Sequence, residues 1–238
     1  MTSSKSTRVT WLGHATVLVQ TPKGTNLLID PFIAQNPKYP KGFELPEKVD
    51  YILLTHGHGD HMSDAAPVAK KHGSHVVAIY ELAAYVAEQG AKEFTGMNLG
   101  GTVQLDDVAA TLVDAKHSSG AQDEKGVHYV GVAGGFVLEV AGGPVLYHAG
   151  DTCAFRDMEL IRELYKPEVA MLPIGGHYTM GPKEAALACR FVQPKVVLPI
   201  HWGTFPPLTG RPEQLAALVE PGVKVLRWEP GDVFEDRD

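Results

Sequence analysis

The first thirty residues alternate apolar and polar side chains in short runs, a pattern typical of half-buried β-strands. We predict strands over Arg8–Gly13, Ala15–Thr21 and Asn26–Asp30, with a turn at Pro22–Gly24 before the third of them. Because strands joined by so short a turn run in opposite directions, the chain is expected to begin as an antiparallel sheet.

Farther along, strand-like apolar runs alternate with segments of helical periodicity. The predicted helices are Ser63–Lys71, Glu81–Glu88, Asp157–Tyr165, Lys183–Val192 and Glu213–Val219, with strands such as Val76–Ile79 and Val169–Ile174 between them. The segments Pro31–Pro46 and Ser118–His128 carry neither pattern, and we expect them to be irregular loops that form walls for a substrate.

This order of elements predicts an α/β architecture in one domain, residues 1–238. A chain of 238 residues with 44% hydrophobic content is long enough to bury a sizeable core. Helices are needed on the outer faces of two mixed β-sheets, so the expected fold is a four-layer αββα sandwich.

The segment His56-Gly57-His58-Gly59-Asp60-His61 directly follows the apolar run Tyr51–Leu54 and holds four metal-ligand side chains in six residues. Two histidines two positions apart share one side of an extended segment but not of a helix. The two glycines are expected to let the backbone turn sharply and aim Asp60 and His61 at a neighbouring point. Imidazole and carboxylate ligands suit first-row divalent ions, and two such ions about 3.5–4 Å apart can hold a bridging hydroxide.

Four ligands cannot complete two sites, and three further candidates each follow an apolar run. Ala109–Lys116 precedes His117, Pro144–Gly150 precedes Asp151, and Lys195–Ile200 precedes His201. Ligands collected from several strand ends are the usual way in which α/β scaffolds build a site, although polar residues also end many strands without such a role.

These blocks, in this order, resemble the metallo-β-lactamase superfamily, whose motifs are HxHxDH, a later His, an Asp in a Gly-Asp-Thr context and a final His. The segments Trp11–Thr16, His148–Thr152 and Pro173–Pro182 are similar to small bacterial metal-dependent hydrolases related to the ascorbate-6-phosphate lactonases. The resemblance implies the metallo-β-lactamase fold. It also implies a first metal at His56, His58 and His117, a second at Asp60, His61 and His201, and Asp151 between them.

Several other polar residues stand in family-like blocks without an assigned ligand role. His14 is a candidate for substrate contact or for support of a ligand, and a purely structural role is equally compatible with its position. Tyr178 and Thr179 are candidates to contact a leaving group or phosphate, while Thr179 is also a candidate cap for a helix that opens at Pro182. Asp60 is the expected catalytic acid–base group, with His177 as the alternative acid.

Charge, cysteine content and hydropathy limit the kinds of partner and the compartment that are expected for this protein. The net charge of −7 and the absence of any Lys/Arg run longer than Lys70-Lys71 make nucleic acid an unexpected partner. Cys153 and Cys189 form no CxxC pair and are expected to be small buried residues in a reducing compartment. No membrane-spanning apolar stretch occurs, so a cytoplasmic protein that acts on a small molecule is expected, with homo-oligomer formation left open.

The expected function is hydrolysis of a lactone, ester or phosphodiester by a dinuclear metal centre, with zinc as the expected ion and manganese as the alternative. Two other functions compete with it. One is a non-catalytic metal-binding or sensing module that keeps the ligands, and the other, less favoured by charge, is a nuclease of the same fold.

Overall fold

The computed structural model describes residues 6–236 and arranges the apolar runs of the chain in two large β-sheets. The predicted domain, 1–238, therefore extends slightly beyond the described residues at both ends. The strands are β1 (Arg8–Trp11), β2 (Val17–Gln20), β3 (Asn26–Ile29), β4 (Tyr51–Leu54), β5 (His75–Ile79), β6 (Glu93–Met97), β7 (Thr102–Leu105), β8 (Val108–Asp114), β9 (Gly120–Asp123), β10 (Gly126–Tyr129), β11 (Gly134–Val140), β12 (Val145–His148), β13 (Val169–Pro173), β14 (Val196–Ile200), β15 (Lys224–Val225) and β16 (Val233–Glu235). The helices are α1 (Gly59–Met62), α2 (Ala65–His72), α3 (Tyr80–Glu88), α4 (Met158–Tyr165), α5 (Pro182–Val192) and α6 (Pro212–Ala216).

Both sheets are mixed and follow the same plan within residues 6–236. The first has the order β16-β1-β2-β3-β4-β5-β6 and the second β15-β14-β13-β12-β11-β8-β7. In the first, pairing is antiparallel from β16 to β3 and parallel from β3 to β6. In the second, pairing is antiparallel from β7 to β12 and parallel from β12 to β15. The predicted αββα architecture with two mixed sheets is confirmed.

The side chains of the central strands point alternately to the two faces of each sheet, which explains why helices cover the outer faces. In β11, the side chains of Phe136 and Leu138 belong to the core between the two sheets, whereas Val137 belongs to a second core on the outer face of the second sheet. Successive strand residues point to opposite faces, so a strand that is apolar throughout must be covered on both sides. Helices α4 and α5 supply that cover through residues such as Met158 and Ala185, and α2 and α3 pack against the first sheet.

Most of the predicted elements occur with their ends shifted by a few residues. Helices α2 to α5 match their predicted counterparts closely. Helix α6 ends three residues earlier than predicted. The single-turn helix α1, inside the histidine-rich segment, was not predicted. Pro31–Pro46 is irregular, as expected. No helix in the described part of the chain combines the length and the apolar composition that a membrane crossing requires.

The prediction of an irregular loop over Ser118–His128 is wrong, because β9 and β10 form an antiparallel hairpin there. Its residues are mostly exposed, with only Ala121 fully buried among those of the two strands. A hairpin that is solvated on most of its surface needs few apolar residues, so its sequence lacks the alternation that identifies a strand.

The strand directions bring the ends that carry the candidate ligands to one side of the sandwich. Strands β3, β4 and β5 are parallel in the first sheet. In the second sheet β12, β13 and β14 are parallel, and β8 runs in the same direction because both β8 and β12 pair antiparallel with β11. The carboxyl ends of β8, β12 and β14 therefore lie at one edge of the second sheet, and the contact of His61, which follows β4, with Asp151 shows that the carboxyl end of β4 faces the same edge.

Candidate metal centre

The residues that follow these strand ends meet in one cluster. Three groups of side chains each place one ligand atom per residue within 4.8 Å of one another. The groups are His56, His58 and His117; His14, Asp60, His61 and His201; and Asp30, His56 and His61. The first two contain the two ligand sets that the family resemblance implies, and the second of them adds His14.

Asp151 lies between the two sets. Its Oδ2 atom is 3.1 Å from His201 Nε2, 3.4 Å from His61 Nε2 and 3.6 Å from His117 Nε2. The carboxylate is buried, and so are His61 and His201. Three imidazole nitrogens from three separate parts of the chain thus face one oxygen atom, which is the position expected of a carboxylate shared between two sites.

The hydrogen bonding of this group fits a bound cation. Among the described residues, His61 Nε2, His201 Nε2 and Asp151 Oδ1 are buried atoms without a hydrogen-bond partner. Buried polar atoms nearly always find a partner, since an unsatisfied one costs about 1–3 kcal/mol. Atoms of this kind, gathered around a carboxylate, are satisfied by a divalent ion with nitrogen and oxygen ligands.

His56, His58 and His117 form the more accessible part of the cluster. The ring centroids of His56 and His117 are 5.1 Å apart, and those of His58 and His117 are 5.0 Å apart. His58 Nε2 lies 3.2 Å from the Ser118 hydroxyl, and the Gly57 amide donates a 3.1 Å hydrogen bond to Ser119. His56 is fully buried, whereas His58 and His117 are half-buried and open to a ligand from outside.

The role expected for the two glycines is only partly correct. Neither Gly57 nor Gly59 has a positive φ, so neither is required by an unusual backbone conformation. At Gly57 a Cβ atom would lie 2.3 Å from Val130 Cγ2, because the β9–β10 hairpin packs directly on the backbone between the first two histidines. At Gly59 a Cβ atom would meet nothing within 4 Å. Close packing therefore explains Gly57, and the structure gives no reason for Gly59.

Asp30 is a functional residue that the sequence analysis missed. Its Oδ2 atom lies 2.8 Å from His61 Nδ1 and accepts a 2.6 Å hydrogen bond from the Thr55 hydroxyl, and its Oδ1 accepts one from the Thr55 amide. Thr55 Oγ1 also lies 3.0 Å from His56 Nδ1. One buried carboxylate thus orients a histidine of each predicted metal site. A single Asp at a strand end carries no local signal, and its partners lie 25 and 31 residues away.

The charges of the cluster shift several pKa values in opposite directions. Burial lowers the pKa of His56 well below its ordinary value, and burial also lowers the pKa values of His58 and His117. Burial opposes a proton on His61, but the carboxylates of Asp151 and Asp30 raise its pKa well above the ordinary value. For Asp151, burial acts to raise the pKa, but His201 and His61 lower it well below the usual range. The carboxylate is therefore ionised, and the histidines of the first set are neutral, as metal ligands must be.

Other predicted residues are placed as follows. His14 is buried and contacts Asp60, with His14 Nε2 3.0 Å from Asp60 Oδ2. His177 and Tyr178 are exposed and contact each other, and no hydrogen bond or ring contact within residues 6–236 joins His177 to the cluster. Thr179 is not the cap of α5, because the helix has Gly181 at its N-cap and the Gly181 amide donates to Glu184. The Thr179 hydroxyl is buried without a partner in the described part of the chain.

The cysteines depart from expectation at one position, and the three tryptophans differ in their burial. Cys189 is buried as predicted, but Cys153 is exposed. Trp11 and Trp228 are core residues, whereas Trp202 is half-buried. The Phe205 ring lies 5.5 Å from the His14 ring, so this side chain is close to the cluster.

His148 lies behind the segment that carries Asp151. The ring is fully buried, its Nε2 lies 3.0 Å from the Ala15 carbonyl oxygen, and the Gly150 amide donates to its Nδ1. It therefore connects the turn before Asp151 to the first sheet. The sequence analysis assigned no role to His148.

Known proteins share this chain's sequence and fold over almost its whole length. Residues 8–201 match the family described as the Beta-lactamase superfamily domain. A metal-dependent hydrolase of Koribacter versatilis (strain Ellin345) is 49% identical over 227 residues, covering 95% of this chain and 97% of the relative. A metal-dependent hydrolase of Methanopyrus kandleri is 46% identical over 233 residues, covering 96% of this chain and 99% of the relative. The solved structure of Igni18, a metallo hydrolase from the archaeon Ignicoccus hospitalis, has a TM-score of 0.84 and 33% identity, covering 98% of this chain and 99% of that one. The family match spans every residue of the cluster from His14 to His201.

Proposed function

The chain belongs to the metallo-β-lactamase superfamily and is related over nearly its full length to metal-dependent hydrolases, and we propose that it holds two divalent ions and hydrolyses a small lactone, ester or phosphodiester. The observation that supports the dinuclear arrangement most directly is the approach of three histidine Nε2 atoms to Asp151 Oδ2, within 3.1–3.6 Å. A carboxylate in that position suits a ligand shared by two ions.

Seven side chains would hold the ions. In this proposal His56, His58 and His117 would hold the first ion, Asp60, His61 and His201 would hold the second, and Asp151 would be available to either. Five imidazoles with two carboxylates favour zinc among the first-row divalent ions, and manganese is the alternative. When bound, such ions lower the pKa of water to about 7 and polarise a carbonyl or phosphoryl oxygen.

The protein's own groups then orient and move protons. Burial acts to raise the pKa of Asp60, but the hydrogen bond from His14 and the charge of His61 lower it below the usual range. Asp60 is therefore ionised and can accept a hydrogen bond from a reacting group, and since a lowered pKa makes it a weak base, it would hold a transferred proton only briefly. His177, exposed on the loop before α5, is proposed as the alternative acid and would have to approach the leaving group from the solvent side.

The surroundings of the cluster favour a small substrate. The half-buried Phe205 lies beside His14, and Tyr178 is exposed on the loop before α5. Together with the net charge of −7, these apolar surfaces suit an organic group of modest size better than a polyanion. A cytoplasmic location remains a prediction from the sequence.

The proposal is tested first by counting metal ions and then by measuring turnover. Purified protein is expected to contain two divalent ions per chain and to hydrolyse either a chromogenic phosphodiester or members of a panel of sugar lactones. Chelator should abolish turnover, and added Zn²⁺ or Mn²⁺ should restore it. Stable metal binding without turnover of any of these substrates would instead indicate a non-catalytic metal-binding module.

Two variants and one control identify the residues involved. Asp151→Ala and His58→Ala are each expected to abolish turnover, because each removes a proposed ligand, while the far-ultraviolet circular dichroism stays native. His75→Ala is the matched control, since His75 is a half-buried histidine at the opposite end of the first sheet that bonds to Thr95. Turnover retained in Asp151→Ala would contradict the proposal.

A further inference from the structure

His14 belongs to the cluster but is not one of the seven proposed ligands, and it lies in the turn between β1 and β2. Its side chain is fully buried and its ring centroid is 3.9 Å from that of His201. Resting on the proposed function, we propose that His14 is a positioning residue for the second ion, acting on Asp60 through its ring and on His201 through its carbonyl group.

The ring of His14 connects Asp60 to Thr204. Nε2 lies 3.0 Å from Asp60 Oδ2, and Nδ1 lies 3.0 Å from the Thr204 hydroxyl. An ionised carboxylate can only accept, so Nε2 carries the proton and donates to Asp60. Nδ1 is then the acceptor, and the Thr204 hydroxyl donates to it. This chain of two hydrogen bonds sets the tautomer of His14 and the orientation of the Asp60 carboxylate.

The backbone of His14 acts on a second proposed ligand. Its carbonyl oxygen accepts hydrogen bonds from the His201 amide at 2.8 Å and from Trp11 Nε1 at 2.9 Å. Thr204 stands three residues after His201, so the ring and the carbonyl group of His14 both contact the loop that follows β14. The turn that contains His14 thereby joins the first sheet, which supplies Asp60, to the second, which supplies His201.

The bonding of His14 distinguishes it from the proposed ligands of the second ion. Both of its ring nitrogens have partners, whereas His61 Nε2 and both ring nitrogens of His201 are buried without a hydrogen bond in the described structure. Because one ring nitrogen of His14 contacts the proposed ligand Asp60 and the other contacts Thr204, His14 is placed to support a ligand of the second ion rather than to bind that ion itself. Within residues 6–236, no hydrogen bond or ring contact joins His14 to His56, His58 or His117, so its influence should be confined to the second site.

The test measures metal binding rather than turnover. Zn²⁺ affinities are obtained by competition with a chromophoric chelator, and the visible absorption of the Co²⁺-loaded protein reports the geometry at each site. In His14→Ala we expect the second ion to bind about 10–100-fold more weakly while the first is unchanged. His14→Gln should recover most of the affinity, because its amide nitrogen can donate to Asp60. Thr204→Val, which removes only the second hydrogen bond, should give a smaller loss.

Two further comparisons separate positioning from general structural support. His14→Ala introduced into Asp60→Ala should cause little additional loss of the second ion, since the contact through which the ring acts is already missing. His75→Ala should match the wild type at both sites. Should His14→Ala fail to fold, the Gln and Val variants decide the question in the same measurement.

The outcomes distinguish this inference from the function on which it rests. Wild-type protein that takes up fewer than two ions overturns both. Wild-type protein with two ions, together with a His14→Ala or Thr204→Val protein whose second affinity and Co²⁺ spectrum are unchanged, overturns the positioning role alone. Equal weakening of both ions in His14→Ala would also overturn it, because that result indicates a general loss of structure.

Discussion

Three residues of the cluster adopt a backbone conformation that L-amino acids rarely use. His14, Asp30 and His201 have φ values of 56°, 48° and 54°. Each follows a strand directly or after a short turn, and a left-handed residue there redirects the chain so that its side chain points into the cluster. The left-handed region costs a non-glycine residue about 1–2 kcal/mol. Such a conformation persists only where surrounding contacts fix it, and these conformations are concentrated at functional sites.

At the residue scale, metal binding should release a proton from His61. The carboxylates of Asp151 and Asp30 raise its pKa well above the ordinary value, so in protein stripped with a chelator we expect this ring to carry a proton at neutral pH. An ion that binds the ring must displace that proton, and the apparent affinity should therefore increase as the pH rises. Calorimetric titrations with Zn²⁺ in buffers of different ionisation enthalpy measure the number of protons released.

We expect about one proton per chain from this residue when the second site fills. Asp30→Asn removes one of the two carboxylates that favour the charged ring, so it should reduce the proton release as well as weaken the binding. A heat of binding that is the same in all buffers would show that no proton leaves His61 when the ion binds, which would contradict this prediction.

At the scale of elements, the histidine-rich segment is shaped by the hairpin that covers it. The segment leaves β4 in an extended conformation, which places His56 and His58 together, and then enters the single turn α1, which contains Asp60 and His61. The β9–β10 hairpin packs on the backbone at Gly57 through Val130, which lies just beyond β10. The hairpin therefore affects the spacing of the first two proposed ligands without supplying one.

Gly57→Ala is expected to destabilise the protein through this contact. Its Cβ atom would lie 2.3 Å from Val130 Cγ2, and such overpacking typically costs about 1–3 kcal/mol. Because the nearest obstacle is one methyl group, Val130→Ala in the same chain should recover part of that loss. Urea unfolding of the two single variants and the double variant gives the coupling free energy, and fully additive effects would show that the hairpin does not press on Gly57.

At the scale of the molecule, the cluster lies where the two sheets meet, and Gly150 is at that junction. It stands just before Asp151 with a φ of 61°, and a Cβ atom there would lie 2.5 Å from the Gly134 carbonyl oxygen and 2.9 Å from Thr55 Cβ. Gly134 begins β11 in the second sheet, and Thr55 follows β4 in the first. The absence of a side chain at position 150 therefore allows Asp151 and the histidine-rich segment to approach each other.

Gly150→Ala should be much more damaging than an alanine at an open glycine. Gly142 is the matched control, because its φ is 79° and a Cβ atom there would meet nothing within 4 Å. Gly142→Ala should cost about 1–2 kcal/mol of unfolding free energy from the backbone conformation alone. Gly150→Ala should cost roughly 3 kcal/mol or more, since the obstacle includes backbone that cannot rotate away. Thermal and urea unfolding compare the two, and similar losses would contradict the close approach of the sheets at this point.

The sequence alone was sufficient for the layered fold and for the seven residues that the structure gathers. Hydrophobic periodicity is a local property, so the helices Lys183–Val192 and Glu81–Glu88 could be predicted nearly to their ends. The strand ends that precede His117, Asp151 and His201 were also visible as apolar runs. The family resemblance, however, was needed to predict which of these ends face one another, because no local pattern predicts the order of strands in a sheet.

The tertiary structure decided the contacts between distant segments. Asp30 supports His61 across 31 residues, and His14 meets Thr204 across 190, and neither pair leaves a trace in the spacing of the sequence. The same holds for the β9–β10 hairpin, which packs over Gly57 and has no apolar alternation of its own, and for Cys153, which lies on the surface despite its residue type. Local sequence determines which elements can form, because propensity and periodicity act over a few residues. The network that orients the ligands depends on which strand ends meet, and only the packing of the two sheets determines that.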